Sequence, residues 1–159
     1  MSQDAELLLT PRGRTKLEQR LDHLQRVQRR EVAERIRDSK QFGDLTENAE
    51  YEDAKTEQAL VEGQISEIRR VLQLAQVLND EDIPTDHVGI GSIVSMTNLD
   101  NDDEWELTLV SSVEADPDED LISDESPIGE ALVGKKTGEA ARIYAPNGVL
   151  NYRIDGIRK

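Results

Sequence analysis

The chain has 159 residues and no cysteine, and its 34 acidic residues against 19 basic ones give a formal net charge of −15. This composition disfavours unaided binding to naked DNA or to an acidic membrane surface, and it excludes a disulfide framework, a cysteine-based zinc site and a thiol nucleophile. The N-terminal sequence has neither a basic segment nor a long apolar run, so we expect a cytoplasmic protein without a signal peptide or a membrane contact.

Charge and residue pattern divide the chain into two parts. Residues 1–80 hold 13 basic and 16 acidic residues, a net charge of −3, whereas residues 81–159 hold 6 and 18, a net charge of −12. Acidic residues and a proline interrupt the helical pattern between Asn79 and Pro84. We therefore predict two domains, 1–80 and 81–159, in an α+β chain.

The first predicted helix begins at Thr10, which is a suitable N-cap, with Pro11 at the first helical position. It should run to about Gln41. Its apolar residues recur at spacings of four and three, and then their phase shifts beyond Val27, as happens when a heptad pattern is interrupted. The residues of this stripe are Leu17, Leu21 and Leu24 before the shift and Val32, Ala33 and Ile36 after it.

The second predicted helix has an unbroken coiled-coil pattern. Because the connection between the helices is short, they should form an antiparallel hairpin. About 30 residues per helix would make a stalk roughly 45 Å long. Only a narrow stripe is apolar, so the stalk is better suited to reaching into another molecule than to enclosing a ligand. The stripe of the second helix consists of Tyr51, Ala54, Gln58, Val61, Ile65, Ile68, Leu72 and Ala75.

The last 79 residues change from helical periodicity to alternation. Segments 93–96 and 105–109 flank an acidic turn and predict one β-hairpin, and the turn at Asn147-Gly148 predicts a second. Ser126-Pro127 should begin a short helix that ends at Gly134. The pattern predicts a small, mainly antiparallel sheet packed on one short helix.

The segment from Gly43 to Tyr51 joins the two long helices and carries two acids, Asp44 and Glu47, three residues apart. One interpretation is a capping box with Asp in place of Ser or Thr, which the helix dipole would favour. The other is that the two carboxylates share one hard cation or its bound water. Mg²⁺ usually takes one or two carboxylates together with phosphate oxygens, so a metal here would have to be shared with another molecule.

Basic side chains flank this acidic segment. Arg37 and Lys40 lie before it and Lys55 lies after it. They are either solvated charges on a helix face or contacts for a passing phosphate chain, since lysine binds phosphate as a mobile point charge. The arginines further from the acidic segment could continue such a strip, but Glu31 and Glu34 dilute its charge, and we expect salt bridges between residues four apart instead. These arginines are Arg26, Arg29, Arg30 and Arg35.

Other signs of chemistry are weak. His23 and His87 are isolated, and no catalytic triad order, phosphate-binding loop or dinucleotide fingerprint is present. The acidic run 116–120 lacks the spacing of an EF-hand. We therefore do not expect an autonomous enzyme.

The segment GDLTENAEY resembles the signature of the bacterial Gre transcript cleavage factors, and it is more similar to the GreA branch than to the GreB branch. The likeness continues in LTPRGRTKLEQRL, AKTEQALVEGQISEI, ISDESPIGEALVGKKTGE and APNGVLNYRI. It implies an N-terminal coiled coil that enters the secondary channel of bacterial RNA polymerase. It also implies an FKBP-like C-terminal domain that docks at the channel entrance, on the rim of the β′ subunit.

The resemblance also implies roles for single residues. Asp44 and Glu47 would be the catalytic tip acids, helping the polymerase active centre to hold Mg²⁺ and to orient a water against backtracked RNA. The metal would belong to the polymerase site, with none bound by the free protein. Lys40, Lys55 and Arg37 would contact the 3′ segment of the nascent RNA.

The implied docking surface is the neighbourhood of Ser126 to Gly134, with Ile128 and Leu132 as contact residues. The same short helix would alternatively pack the sheet. The acidic charge of this half suits a basic partner surface.

The resemblance implies a monomeric elongation factor, an accessory factor that stimulates RNA cleavage by the polymerase and rescues arrested complexes. Two alternatives stay open. One is a non-cleaving Gre-like inhibitor that occupies the same channel, although such relatives alter the tip acids. The other is a prolyl isomerase or chaperone built on the C-terminal domain, for which the available aromatic residues are Trp105, Tyr144 and Tyr152.

Overall fold

The computed structural model describes residues 7–40 and 49–159. The contacts group them into two compact units. Arg14–Leu74 forms one, which we call the hairpin unit. Ala75–Lys159, together with the residues up to Gly13, forms the other, which we call the sheet unit. Contacts do not measure independent folding, so the predicted domains 1–80 and 81–159 stay a prediction.

The first long helix runs without interruption to the end of the described segment. It consists of α1 (Pro11–His23), a π-helical turn (Leu24–Gln28) and α2 (Arg29–Lys40). Its predicted start is confirmed, because the Thr10 hydroxyl oxygen accepts a hydrogen bond from the Gly13 amide at 3.0 Å. A side-chain oxygen at this position satisfies an amide that has no partner within the helix.

The π turn explains the phase shift in the apolar stripe. A π turn forms hydrogen bonds to the fifth residue rather than the fourth, so it accommodates one extra residue. Leu17 and Leu21 before the turn and Ile36 after it pack against the same core cluster. The extra residue therefore brings both halves of the helix onto one face.

The second long helix, α3 (Ala49–Leu74), lies antiparallel to the first. Cross-helix ion pairs show the direction, since Arg29 pairs with Glu62 whereas Arg35, further along, pairs with Glu57. The predicted seam is largely confirmed, although the helix ends one residue before Ala75. The buried cluster of this unit consists of Leu24, Val32, Val61, Ile65 and Ile68.

A parallel pair of two-residue strands, β1 (Leu8–Leu9) and β2 (Gln76–Val77), belongs to the sheet unit. Backbone hydrogen bonds of 2.7 Å from Gln76 to Leu7 and of 2.8 Å from Leu78 to Leu9 hold it. The sequence did not predict this pair, because the helical pattern of α3 continues through Ala75.

The main sheet has five strands in the order β5-β4-β3-β7-β6. Three of the four neighbouring pairs are antiparallel, and β4 with β5 is parallel. Both predicted hairpins are confirmed, the first as β3-β4 and the second as β6-β7. The predicted α+β class, a helical hairpin followed by a mainly antiparallel sheet, is therefore correct. The strands are β3 (Ile93–Asn98), β4 (Glu104–Val110), β5 (Leu121–Ser123), β6 (Ala140–Ala145) and β7 (Gly148–Arg158).

The predicted short helix is α4 (Pro127–Leu132), which packs against β5 and β6. The Ser126 hydroxyl oxygen accepts a hydrogen bond from the Gly129 amide at 3.0 Å and caps it. Two short 3₁₀ helices, Asp80–Asp82 and Pro117–Glu119, lie in the connections. The core cluster of this unit consists of Val88, Val94, Met96, Leu107, Leu109, Ile122, Leu132, Ala141 and Ile154.

No helix within residues 7–40 or 49–159 is long and apolar enough to cross a membrane.

Candidate functional site

The acidic segment lies between the two long helices. Helix α2 ends at Lys40 and α3 begins at Ala49. Asp44 and Glu47 lie outside the described residues, so the choice between a helix cap and a shared metal site stays open for them. In the part of the chain that the structure does describe, no group of three or more His, Asp or Glu residues could hold a metal ion.

The basic residues that flank the acidic segment are all exposed. Arg37 and Lys40 lie near the end of α2, and Lys55 lies in the second turn of α3. Among residues 7–40 and 49–159, neither Arg37 nor Lys40 forms a salt bridge. The Lys55 ammonium donates a hydrogen bond to the side-chain oxygen of Gln58, at 3.2 Å, and meets no carboxylate there. No carboxylate within residues 7–40 and 49–159 therefore neutralises these three cations.

Three of the four arginines further from the acidic segment, at positions 26, 29, 30 and 35, form ion pairs that the structure shows. Arg26 forms the expected i,i−4 pair with Asp22, at 2.7 Å. Arg29 instead crosses to α3 and donates two hydrogen bonds of 2.8 Å to Glu62. Arg35 also crosses to α3 and pairs with Glu57. Carboxylates of the hairpin unit therefore offset the charges of these three arginines.

The Arg29–Glu62 ion pair also shifts the pKa values of both side chains. The two hydrogen bonds from Arg29 lower the pKa of the Glu62 carboxyl below its usual range. The same hydrogen bonding raises the pKa of the Arg29 guanidinium. Both groups therefore stay charged throughout the neutral range.

The two predicted docking residues, Ile128 and Leu132, lie on the short helix α4 and differ in their exposure. Leu132 has no exposed surface and belongs to the core of the sheet unit, so it fills the packing role that the sequence left open. A side chain without exposed surface offers a partner nothing to contact. Ile128 is only partly buried and lines a surface cavity, so it keeps area that a partner could cover.

The cavity beside Ile128 has a volume of about 330 Å³ and is almost entirely apolar. Part of its lining was not predicted from the sequence, namely Ile143, Ala145, Pro146 and Leu150. The Asn147-Gly148 turn signals the hairpin that carries these residues, but no local signal shows that this hairpin lies beside α4.

The aromatic residues of the sheet unit do not gather around this cavity. None of them lines it. Trp105 packs against Tyr152 with ring centroids 6.1 Å apart, and its indole nitrogen donates a hydrogen bond to Asp120 at 3.0 Å. Tyr144 is 66% exposed. The aromatic side chains of the sheet unit, all within the described residues, therefore do not share the apolar cavity beside Ile128.

Comparison with known proteins identifies both halves of the chain. Residues 7–77 match the family model "Transcription elongation factor, N-terminal", and residues 83–159 match "Transcription elongation factor, GreA/GreB, C-term". The chain is 47% identical to transcription elongation factor GreA of Acetivibrio thermocellus and 46% identical to that of Syntrophomonas wolfei. Each of these alignments covers 159 residues and the full length of both proteins.

Among solved structures, the GreA factor homolog 1 of Thermus thermophilus matches with 26% identity and a TM-score of 0.46, over 97% of this chain and 99% of that one. A GreA/GreB factor from Nitrosomonas europaea matches with 22% identity and a TM-score of 0.43, over 97% and 100%. On the two family models and the full-length relatives, the chain belongs to the GreA/GreB family of transcription elongation factors.

Proposed function

We propose that this chain is an accessory factor of bacterial RNA polymerase that stimulates the polymerase to cleave backtracked RNA. The observation that carries the proposal is the hairpin itself. Its two helices enclose one narrow core, and they end on either side of the segment that holds Asp44 and Glu47. A stalk whose other faces meet water can enter a channel, and it would present these acids at its end.

Two carboxylates are too few ligands for a stable Mg²⁺ site in the free chain. In the secondary channel of the polymerase, the active centre and the RNA phosphate would supply the others. Mg²⁺ held in that centre would polarise the scissile phosphodiester. Asp44 and Glu47 would donate oxygen ligands and accept a hydrogen bond from the attacking water. The chain therefore contributes side chains to a reaction that the polymerase performs.

The basic residues that flank the acidic segment support the nucleic-acid part of this proposal. Arg37, Lys40 and Lys55 are exposed, and no carboxylate of the described residues neutralises them. They would contact phosphates of the extruded RNA 3′ segment, where a positive charge offsets the local repulsion between RNA and the tip acids. This role belongs to the complex, because the net charge of −15 opposes binding to free RNA.

The sheet unit would dock on the rim of the β′ subunit. Ile128 and the apolar cavity beside it offer surface for such a contact. The net charge of −12 on residues 81–159 suits a basic partner surface. We propose that the factor acts as a cytoplasmic monomer.

A backtracked elongation complex with Mg²⁺ tests the proposal. The rate of RNA 3′-end cleavage is measured with and without the chain, and polymerase binding is measured by competition with a labelled copy. We expect cleavage to accelerate by about 10²-fold or more, the scale of a positioned catalytic group. Binding at the same site without acceleration would contradict this and would support the inhibitor.

A further inference from the structure

Strand β6 lies at one edge of the main sheet. It pairs with β7 on one side, and within residues 7–40 and 49–159 no strand pairs with its other side, which we call the open edge. The strand at the far edge of the sheet, β5, has three residues, whereas β6 has six. An unpaired edge of this length is a template on which another extended chain can add a strand.

The register of β6 against β7 shows which backbone groups face the open edge. Asn151 lies opposite Arg142 and accepts a hydrogen bond at 2.8 Å from the amide of Leu99, the residue after β3, so its backbone faces β3. Opposed residues of an antiparallel pair either exchange hydrogen bonds or both turn away from each other. Arg142 and, two residues further on, Tyr144 therefore direct their amides and carbonyl oxygens to the open edge. In the described part of the chain, these groups have no hydrogen-bond partner.

A groove with a volume of about 460 Å³ lies between β6 and the helix α4. Arg142 and Tyr144 line it on the strand side, and Pro127, Glu130 and Ala131 line it on the helix side. All of these residues belong to the sheet unit. An extended peptide in this groove would pair its backbone with β6 and place alternate side chains against α4, which is the recognition mode called β-augmentation.

The side chains of β6 determine which peptide fits. Ala141 and Ile143 are buried in the sheet unit, so Arg142 and Tyr144 extend from the opposite face of the strand. Among residues 7–40 and 49–159, no carboxylate pairs with Arg142. An acidic side chain directly opposite it on an added strand would supply that partner. The net charge of −15 opposes a strongly acidic peptide, so a single acid among uncharged residues fits best.

A second copy of the chain is a poorer occupant of the open edge. Two chains that each carry a net charge of −15 repel each other. Symmetric antiparallel pairing of two β6 strands about Arg142 would also place the two arginines directly opposite each other, which is destabilising. The charges therefore favour a different protein as the partner.

We propose that the open edge of β6 and the groove beside α4 bind an extended segment of a partner protein, which adds one further strand to the sheet and places an acidic side chain opposite Arg142. The backbone groups of Arg142 and Tyr144 supply the hydrogen bonds. Pro127 and Ala131 contact the apolar side chains of the segment that face the helix. This inference goes beyond the proposed function, because it involves neither tip acid and its tests need no polymerase.

Hydrogen exchange in the free chain tests whether the edge is open. Amide exchange rates, corrected for local sequence, are measured by NMR along β6. We expect the amides of Arg142 and Tyr144 to exchange at least about tenfold faster than those of Ala141 and Ile143, which face β7. Equal protection of all four amides would show that the edge is already paired and would overturn the proposal.

Peptide binding tests the proposed occupant. The full chain is titrated with a capped hexapeptide in which valine alternates with threonine and glutamate replaces the middle threonine. We expect saturable shifts of the Arg142 and Tyr144 amide resonances and slower exchange at both amides. A matched peptide with lysine in place of glutamate should bind about threefold or more weakly. A peptide N-methylated at the amides that would face β6 should bind about tenfold or more weakly, because it cannot form the hydrogen bonds.

Two pairs of chains separate the backbone contact from the charge contact. Tyr144→Pro removes the outward amide, whereas Tyr144→Ala keeps it, and proline is tolerated where the amide takes no part in the ladder. We expect the proline variant to bind the glutamate peptide about threefold or more weakly than the alanine variant. Arg142→Glu, compared with wild type, should prefer the lysine peptide to the glutamate peptide. The tryptophan fluorescence of Trp105 checks that each variant is folded.

Three results would overturn the proposal. The first is the absence of saturable binding of the glutamate peptide to wild type. The second is an unchanged peptide preference in Arg142→Glu, which applies even where Tyr144→Pro fails to fold. The third is a wild-type dimer in analytical ultracentrifugation that Arg142→Glu or Tyr144→Pro abolishes, because it would assign the open edge to a second copy of the chain.

Discussion

The cross-helix ion pairs and the apolar seam make different contributions to the hairpin. Arg29, Arg35 and their carboxylate partners are all more than 40% exposed, so solvent screens them and their contribution to stability is small. The side chain of Ile65 is only 1% exposed, so folding removes nearly all of it from water. Its contribution to the stability of the hairpin is therefore far larger. The seam therefore holds the helices together, and the ion pairs help to select their antiparallel register.

Acid should weaken the Arg29–Glu62 contribution. Because the pKa of Glu62 is lower in the folded chain than in the unfolded one, this contribution is present above the ordinary carboxyl range and is lost as pH falls through the folded-state pKa. We expect the difference in thermal midpoint between wild type and Glu62→Gln to be constant near neutrality and to shrink below about pH 4.5. Thermal unfolding of both chains from pH 7 to pH 3 measures it, and a difference that grows in acid would contradict this assignment.

The π turn is the element that reconciles the sequence of the first helix with its packing. The residues alone show that the stripe changes phase beyond Val27. They do not show whether the helix kinks, unwinds or takes up the extra residue. In the structure, the π turn Leu24–Gln28 takes up the extra residue. The core residues Leu24 and Val32 therefore lie on the same face of the helix.

Deleting Val27 should therefore be tolerated. The deletion removes the extra residue and leaves Leu24 and the former Val32 seven residues apart, the spacing of a continuous heptad. We expect a thermal midpoint within a few degrees of wild type, measured by helical circular dichroism. Val27 is 40% exposed, so little packing is lost with its side chain.

The matched control deletes Leu60, which is 62% exposed and lies in regular α3. This deletion rotates one half of the seam by about 100° relative to the other and should lower the midpoint strongly. Equal losses in the two deletion variants would show that the π turn does not absorb an extra residue.

Elements that depend on distant pairing were less predictable than elements with local signals. Ser126 with Pro127 and the Asn147-Gly148 turn identify α4 and the second hairpin because capping and turn chemistry are local. The strands β1 and β2 are two residues long and pair across more than sixty intervening residues. Such short parallel strands carry no periodicity of their own.

At the scale of the whole molecule, the described residues form two apolar clusters. One includes Ile65 in the hairpin unit and the other includes Leu109 in the sheet unit. Asp44 and Glu47 lie in one contiguous motif of the sequence. The lining of the cavity beside Ile128 is recognised only in the fold, because Ile143 and Leu150 come from a hairpin with no local signal of its position.

The two clusters should unfold with some independence. Ile65→Ala removes a buried side chain and should cost the hairpin unit about 2–5 kcal/mol. The single tryptophan, Trp105, lies in β4 and reports on the sheet unit, whereas helical circular dichroism reports mainly on the hairpin. We expect Ile65→Ala to lower the helical midpoint more than the tryptophan fluorescence midpoint. Equal shifts of both would indicate one cooperative unit and would contradict the predicted domains.

The proposed function depends on Asp44 and Glu47, the two acids in the segment between the long helices. The most direct measurement is RNA 3′-end cleavage in a backtracked elongation complex with Mg²⁺, comparing wild type with Asp44→Ala/Glu47→Ala. The control is Glu34→Ala/Asp38→Ala, which removes the same charge from two exposed residues of α2. We predict that all three chains compete equally for polymerase and that only the tip variant loses its stimulation, by about 10²-fold or more. Full cleavage with the tip variant, or equal loss with the control, would contradict the account.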